Sequence, residues 1–217
     1  MDLGPLVPTA CTVYLADRGG GSLLVLAHGA GAGKDHPFMV TCGRGLAARG
    51  VDVVTFDFPY ITGKRRVPDR APVLDACFRS VVATARHHAL FRGDRLFIGG
   101  KSMGGRIATH LGAAGIDGLA GIVALGYPLH PPRKPEQLRT AHLPALEAPL
   151  LIVQGERDTF GTPAELAPVI QEMRAAVTLH VVQGADHSFG VRGRPRAEVH
   201  EGVLEAVAAW IAGRYSV

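Results

Sequence analysis

The chain has 217 residues, 47% hydrophobic and 19% charged, a length that suits one domain and a composition that excludes disordered and fibrous classes. The formal net charge of +4 is not gathered into one tract and aromatic residues make up only 6%, so no nucleic-acid surface is expected, because that needs a basic stripe with a reading motif or stacking rings. The three cysteines, Cys11, Cys42 and Cys77, form no C-x-x-C pair, which argues against a disulfide framework or a metal site.

No apolar run approaches the roughly 18 residues of a membrane span. The start, Met1-Asp2-Leu3-Gly4-Pro5, lacks a basic region followed by an apolar one, so no secretory signal is read there. The expectation is a soluble cytoplasmic protein with no membrane partner.

The elements alternate along the chain. Cys11 to Ala16 reads as an edge strand pairing antiparallel, and Ser22 to Ala27 as a strand covered on both faces. Asp35 and Pro37 then signal a helix start, as cap and first-turn proline, for a helix running to Arg49. Val51 to Phe58 is the next strand. A helical pattern follows from Val67 to Leu90, with Val73, Cys77, Val81 and Ala85 along one face.

Arg95 to Gly99 is a strand, followed by a glycine-rich turn and a helix over Arg106 to Leu111. Leu119 to Leu125, Leu150 to Gln154 and Val177 to Gln183 are further strands, with helices over Thr162 to Met173 and Glu198 to Tyr215. Strands alternating with helices imply right-handed crossovers and a mainly parallel sheet. The whole chain, 1–217, reads as a single doubly wound α/β domain.

The strongest chemical signal is G-x-S-x-G at Gly100, Lys101, Ser102, Met103 and Gly104, between an apolar strand and a helix. In that setting the sharp turn lifts the serine hydroxyl clear of the sheet edge, and the small neighbours avoid backbone clashes. A serine needs a base to take its proton. Where such an elbow carries a nucleophile, an acid and then a histidine follow in chain order.

Gln154-Gly155-Glu156-Arg157-Asp158 leaves one strand and Gly184-Ala185-Asp186-His187 leaves the next, so both turns reach the carboxyl edge that holds Ser102. Among ten histidines, only His187 combines a turn after a strand with this chain order. Asp158 is the expected acid and Glu156 its competitor on the same turn. Asp186 is expected to shape its own loop through an Asx-type bond.

His28-Gly29-Ala30-Gly31-Ala32-Gly33 follows an early strand and offers an oxyanion hole. One amide would come from Ala30, with Gly31 the alternative register, and one from Met103. The loop lacks the G-K-[ST] ending of a P-loop and the dinucleotide spacing, so no nucleotide or other cofactor is expected. Lys101 has two readings: it binds an anionic substrate group, or it points beneath the turn to pair with Glu156 or Asp57, as a buried lysine needs a partner.

These segments, together with Tyr127-Pro128-Leu129-His130-Pro131-Pro132 and His187-Ser188-Phe189, resemble the α/β-hydrolase superfamily. Within it they look like the dienelactone-hydrolase-like branch that includes testis-expressed protein 30 and the hydrolase-like domain of the third subunit of the non-specific-lethal complex. The resemblance runs from about Leu23 to the last helix. It implies a single-domain α/β-hydrolase fold, with hydrolase activity in some members and a scaffolding role in the chromatin subunit. Dienelactone hydrolases proper use cysteine where this chain has Ser102, so their substrate does not carry over.

The stretch from Tyr127 to Pro149, where larger relatives insert a lid, is short and proline-rich. It implies a shallow open site with minimal or no lid, with Phe58, Tyr60, His130 and Phe189 on the rim. The partner expected is a small-molecule acyl substrate, and Lys64, Arg65, Arg66 and Arg70 are expected to draw carboxylate-bearing ones. Two function classes follow: a serine hydrolase acting through an acyl-enzyme, or an interaction module that keeps the fold with little activity.

Overall fold

The computed structural model describes residues 9–17, 21–91 and 93–213. Seven strands form one sheet: β1 (Cys11–Tyr14), β2 (Ser22–Ala27), β3 (Asp52–Phe56), β4 (Arg95–Lys101), β5 (Leu119–Leu125), β6 (Leu150–Gly155) and β7 (Val177–Val182). Their spatial order is β1-β3-β2-β4-β5-β6-β7. All neighbours are parallel except β1, which pairs antiparallel with β3 at the edge, as its isolated position in the sequence implies. This is a doubly wound α/β fold.

Six helices cover the sheet: α1 (Pro37–Ala47), α2 (Pro59–Thr62), α3 (Ala71–Arg86), α4 (Met103–Ala113), α5 (Pro163–Gln171) and α6 (Arg196–Ile211). The sheet divides the core in two. Leu74, Phe78 and Val82 of α3 pack with Ile107 and Leu111 of α4 on one face. Met39 and Leu46 of α1 pack with Val203 and Val207 of α6 on the other. Buried on both faces, β2, β3 and β6 have no exposed side, which explains the apolar runs Leu23 to Ala27 and Leu150 to Val153, while β3 buries Asp52 and Thr55 among its apolar residues. Among the described residues, no helix is long and apolar enough to cross a membrane.

Several boundaries differ from the sequence reading. The cap of α1 is His36, whose Nδ1 accepts the Phe38 N–H at 3.2 Å, and not Asp35, which instead pairs with Lys34. The pattern over Val67 to Leu90 contains a shorter helix, because Pro72 fits only its first turn. Cys77, Val81 and Ala85 of the predicted face are buried, but Val73 is 42% exposed and Leu74, Phe78 and Val82 widen the buried face on its other side.

Helix α4 begins at Met103, directly after the serine, and not at Arg106. The short α2 has no counterpart in the sequence reading. Of the expected extension of α6 to Tyr215, residues 214 and 215 lie outside the described residues, as do Met1 to Pro5.

The β4–α4 junction is the tightest place in the fold. A methyl group on Gly100 would stand 2.5 Å from the Gly104 carbonyl carbon and 2.6 Å from Ala27 O. One on Gly104 would meet Ala27 O and stand 2.7 Å from His28 O. These obstacles are backbone atoms, which cannot rotate away. Gly104→Ala is therefore expected to cost about 1–3 kcal/mol and to lower Tm by several degrees in a thermal melt. Gly202→Ala in α6, where nothing lies within 4 Å, is expected to hold or raise Tm.

Candidate active site

Ser102 sits between β4 and α4 with φ 51° and ψ −114°, a conformation that a residue with a side chain rarely adopts. It is held there from both sides. Its N–H donates to Leu125 O of β5 at 2.9 Å, and its carbonyl accepts the Arg106 N–H of α4 at 3.0 Å. The bend points the hydroxyl away from the sheet, and the start of α4 leaves the Met103 amide without an intrahelical acceptor.

Beyond β7, the loop from Gln183 to Pro195 carries His187, whose Nε2 lies 2.8 Å from Ser102 Oγ. Its Nδ1 lies 2.7 Å from Asp158 Oδ2. Asp158 is fully buried and accepts two further hydrogen bonds, from the Phe160 N–H at 2.8 Å and from Gln154 Nε2 at 2.9 Å. With Asp158 as acceptor, the imidazole keeps its proton on Nδ1 and leaves Nε2 to accept from the serine hydroxyl. The Phe160 ring lies 4.2 Å from the imidazole, centroid to centroid, and fixes its plane.

The competing acid is engaged elsewhere. Glu156 Oε2 accepts the Gly184 N–H at 2.8 Å and braces the two loops. Asp186 behaves as expected, its Oδ1 accepting the N–H groups of Ser188 and Gly190, both at 2.8 Å.

The loop after β2 lies against the serine: a side chain on Gly29 would stand 3.6 Å from Ser102 Cβ. His28 is buried and organises the loop. Its Nδ1 reaches Gly29 O at 2.8 Å, its Nε2 accepts the Phe58 N–H at 3.1 Å, and burial lowers its pKa, which favours this neutral form. The Gly31 N–H donates to Tyr60 Oη at 3.3 Å and the Ala32 N–H to Gly29 O at 3.2 Å. Among the described residues the Ala30 N–H has no acceptor, whereas the Gly31 N–H is engaged.

Residues 20–214 match the family described as the alpha/beta hydrolase domain. The chain belongs to the α/β-hydrolase family. Solved structures with this fold include a dienelactone hydrolase from Anabaena variabilis, at 17% identity and TM-score 0.75, covering 95% of this chain and 92% of the other. A serine hydrolase without a lid from Xanthomonas campestris matches at 19% identity and TM-score 0.74, covering 95% and 90%. A monoacylglycerol lipase from Paleococcus ferrophilus matches at 17% and 0.74, covering 96% and 100%. At these identities the likeness is one of fold.

In this α/β hydrolase, Ala30, Ser102, Met103 and His187 line one cavity of about 1010 Å³, which reaches helices on both faces of the sheet. That is at the upper end of the range for small-molecule sites, and larger than the shallow site expected from the lid segment. The rim differs too. Phe58, Tyr60 and Phe189 are fully buried in the core and His130 nearly so, while His36, Pro68 and Phe160, none of them fully buried, line the cavity. The segment between β5 and β6 holds only one short 3-10 turn, Leu143–Ala145, which agrees with a minimal lid.

Lys101 points beneath the turn, but to neither expected partner. Its Nζ donates to His187 O at 2.7 Å and stands 5.3 Å from the centre of the Phe189 ring. Burial pulls its pKa down to about 8, against the opposing pull of Asp158. Gln154 is the other residue that sequence reasoning passed over. Its amide ties Tyr127, Asp158 and Gly161 together, and its place at the end of β6, before the acid, was the available signal.

The lysine gives a pH signature. Its folded pKa lies below its unfolded value, so below about pH 8 the full cost of burying the charge is present, and it is relieved as pH rises towards 10.5. The stability of the wild type relative to Lys101→Met is expected to rise over that window by up to about 3 kcal/mol, measured by chemical denaturation across pH.

Proposed function

We propose that the protein is a serine hydrolase that cleaves a small ester, thioester or amide through an acyl-enzyme. Ser102 is the nucleophile, His187 the general base and then acid, Asp158 the orienting acid, and the amides of Ala30 and Met103 the oxyanion hole. The observation that carries this reading is the unbroken hydrogen-bond chain from Ser102 Oγ through His187 to Asp158 in the cavity wall.

Ser102 Oγ attacks the substrate carbonyl as His187 Nε2 takes its proton. Asp158 keeps the ring in the accepting tautomer and stabilises the imidazolium that forms. The negative oxygen of the tetrahedral intermediate turns towards the two amides, each worth about 3–4 kcal/mol in such a position. His187 then hands its proton to the leaving group, and water repeats the sequence to free the acid. The other chains with this fold include a dienelactone hydrolase, a lid-less serine hydrolase and a monoacylglycerol lipase, which supports hydrolysis as the reaction class. The ordered motifs support a kinship with the dienelactone-hydrolase-like branch, with serine in place of cysteine. The lack of a lid favours small substrates, since each methylene gains about 0.8 kcal/mol only where it is buried.

Ser102→Ala is expected to abolish ester turnover while melting at or near the wild-type temperature. Asp158→Asn is expected to lower kcat by about three to four orders of magnitude, with Glu156→Gln far milder. Steady-state kinetics on p-nitrophenyl acetate and butyrate check all three. Undiminished turnover in Ser102→Ala, or a larger loss in Glu156→Gln than in Asp158→Asn, would overturn the assignment.

A further inference from the structure

The cavity around Ser102 carries more positive charge than its own walls neutralise. Two carboxylates line it, and each is already paired with an arginine outside the lining: Asp69 with Arg65 at 2.6 Å, and Glu201 with Arg49. The basic cluster expected to attract anions is thus partly spent, and Lys64, Arg66 and Arg70 are exposed outside the lining.

The lining arginines are in a different condition. Arg106 and Arg139 both face the cavity, and neither forms a salt bridge among the described residues. Among the described residues, the hydrogen-bond contact of the Arg106 guanidinium is His110 Nε2, at 3.4 Å. The Arg139 guanidinium makes no hydrogen bond among the described residues, although its backbone is fixed by an N–H bond to Leu129 O at 2.8 Å.

The charged and titratable groups around the pair offset it only in part. From α3, Asp75 is within electrostatic reach of Arg106 and of Arg79, but its Oδ1 is buried without a partner and burial raises its pKa. From α4 and the segment after β5, the rings of His110 and His142 lie 3.9 Å apart, tilted by 46°, and burial lowers the pKa of both. Tyr127 is likewise held neutral by burial and donates to Arg139 O at 2.7 Å. Arg139 is pushed below its ordinary range by burial and by Arg106. A third lining arginine, Arg196, stands at the start of α6, next to His200. Two like charges held partly out of water, neither in a salt bridge among the described residues and with Asp75 only within electrostatic reach of Arg106, are costly, and an anion relieves both.

We infer that Arg106 and Arg139 form an anion subsite of the catalytic cavity, and that the substrate is an ester bearing a free carboxylate. This inference rests on the hydrolase reading of the same cavity. Arg106 lies in the first turn of α4, its N–H bonded to Ser102 O at 3.0 Å, and both residues line the cavity. That placement suits a short dicarboxylic half-ester, with the scissile carbonyl at Ser102 and the second carboxylate at the guanidiniums. Planar guanidinium groups match a carboxylate by paired N–H donors, and each charge-assisted bond adds discrimination that a neutral isostere cannot recover.

The test compares substrates that differ only in that charge. Monophenyl succinate is set against phenyl methyl succinate, which puts the carboxylate on the acyl side. 3-Acetoxybenzoate is set against its methyl ester, which puts it on the leaving group. In at least one pair, kcat/KM is expected to favour the anion by tenfold or more. Arg106→Gln and, independently, Arg139→Gln are expected to collapse that ratio by about tenfold, with folding checked by thermal melts. Calorimetric binding of monophenyl succinate and phenyl methyl succinate to Ser102→Ala, with and without each arginine replacement, reads the subsite apart from turnover. Tighter binding of the anion that either arginine variant abolishes upholds the subsite even if no ester is cleaved. Equal or weaker use of the anion in both pairs, or a preference that neither arginine variant alters, overturns it.

Discussion

The backbone of Ser102 is the constraint on which the rest depends. A residue with a side chain held at φ 51° costs on the order of 1–3 kcal/mol, and the fold sustains it because every neighbouring piece is fixed. β4 lies in the middle of the sheet between β2 and β5, the Ser102 amide is tied to Leu125 O, and Gly100 and Gly104 let α4 close down on the end of β2. Once that bend is set, three directions are set with it. The serine hydroxyl points out of the sheet edge, Lys101 points beneath it, and Arg106 follows one turn along α4 into the same cavity.

The two loops that complete the cavity depend on polar contacts more than on apolar burial. Gln154 holds the Asp158 turn by hydrogen bonds to the carboxylate and to two backbone carbonyls, and Phe160 returns from that turn to lie against the imidazole. Lys101 reaches from the elbow to the carbonyl of His187 itself. The strand that presents the serine therefore also restrains the histidine, through the side chain next to the serine. Groups fixed in this way need little rearrangement as charge develops, which is the main electrostatic advantage of a folded site.

Much of this was legible in the sequence because burial on both faces leaves an unambiguous mark. Ser22 to Ala27 and Leu119 to Leu125 match their strands residue for residue, and the order of Ser102, Asp158 and His187 follows from which turns leave the same sheet edge. The helix starts were less clear, since Asp35 and His36 both offer a capping atom and only the path of the loop chooses between them. Loop aromatics were misread: Phe58 and Phe189 carry no periodic pattern that says which way they face, and both turn into the core. Arg139 could not be found at all. It lies in an irregular proline-rich stretch and is held at the cavity by backbone hydrogen bonds to Leu129 O and from the Tyr127 hydroxyl, contacts with no local signature.

The central claim is that Ser102 is activated by the histidine and acid placed beside it. Intact-mass analysis after exposure to a fluorophosphonate, followed by mapping of the modified peptide, tests this most directly. The account predicts one adduct per chain, on Ser102, and markedly slower labelling when His187 is replaced by alanine. A protein that takes up no label, or takes it on another residue while Ser102 stays free, would contradict it.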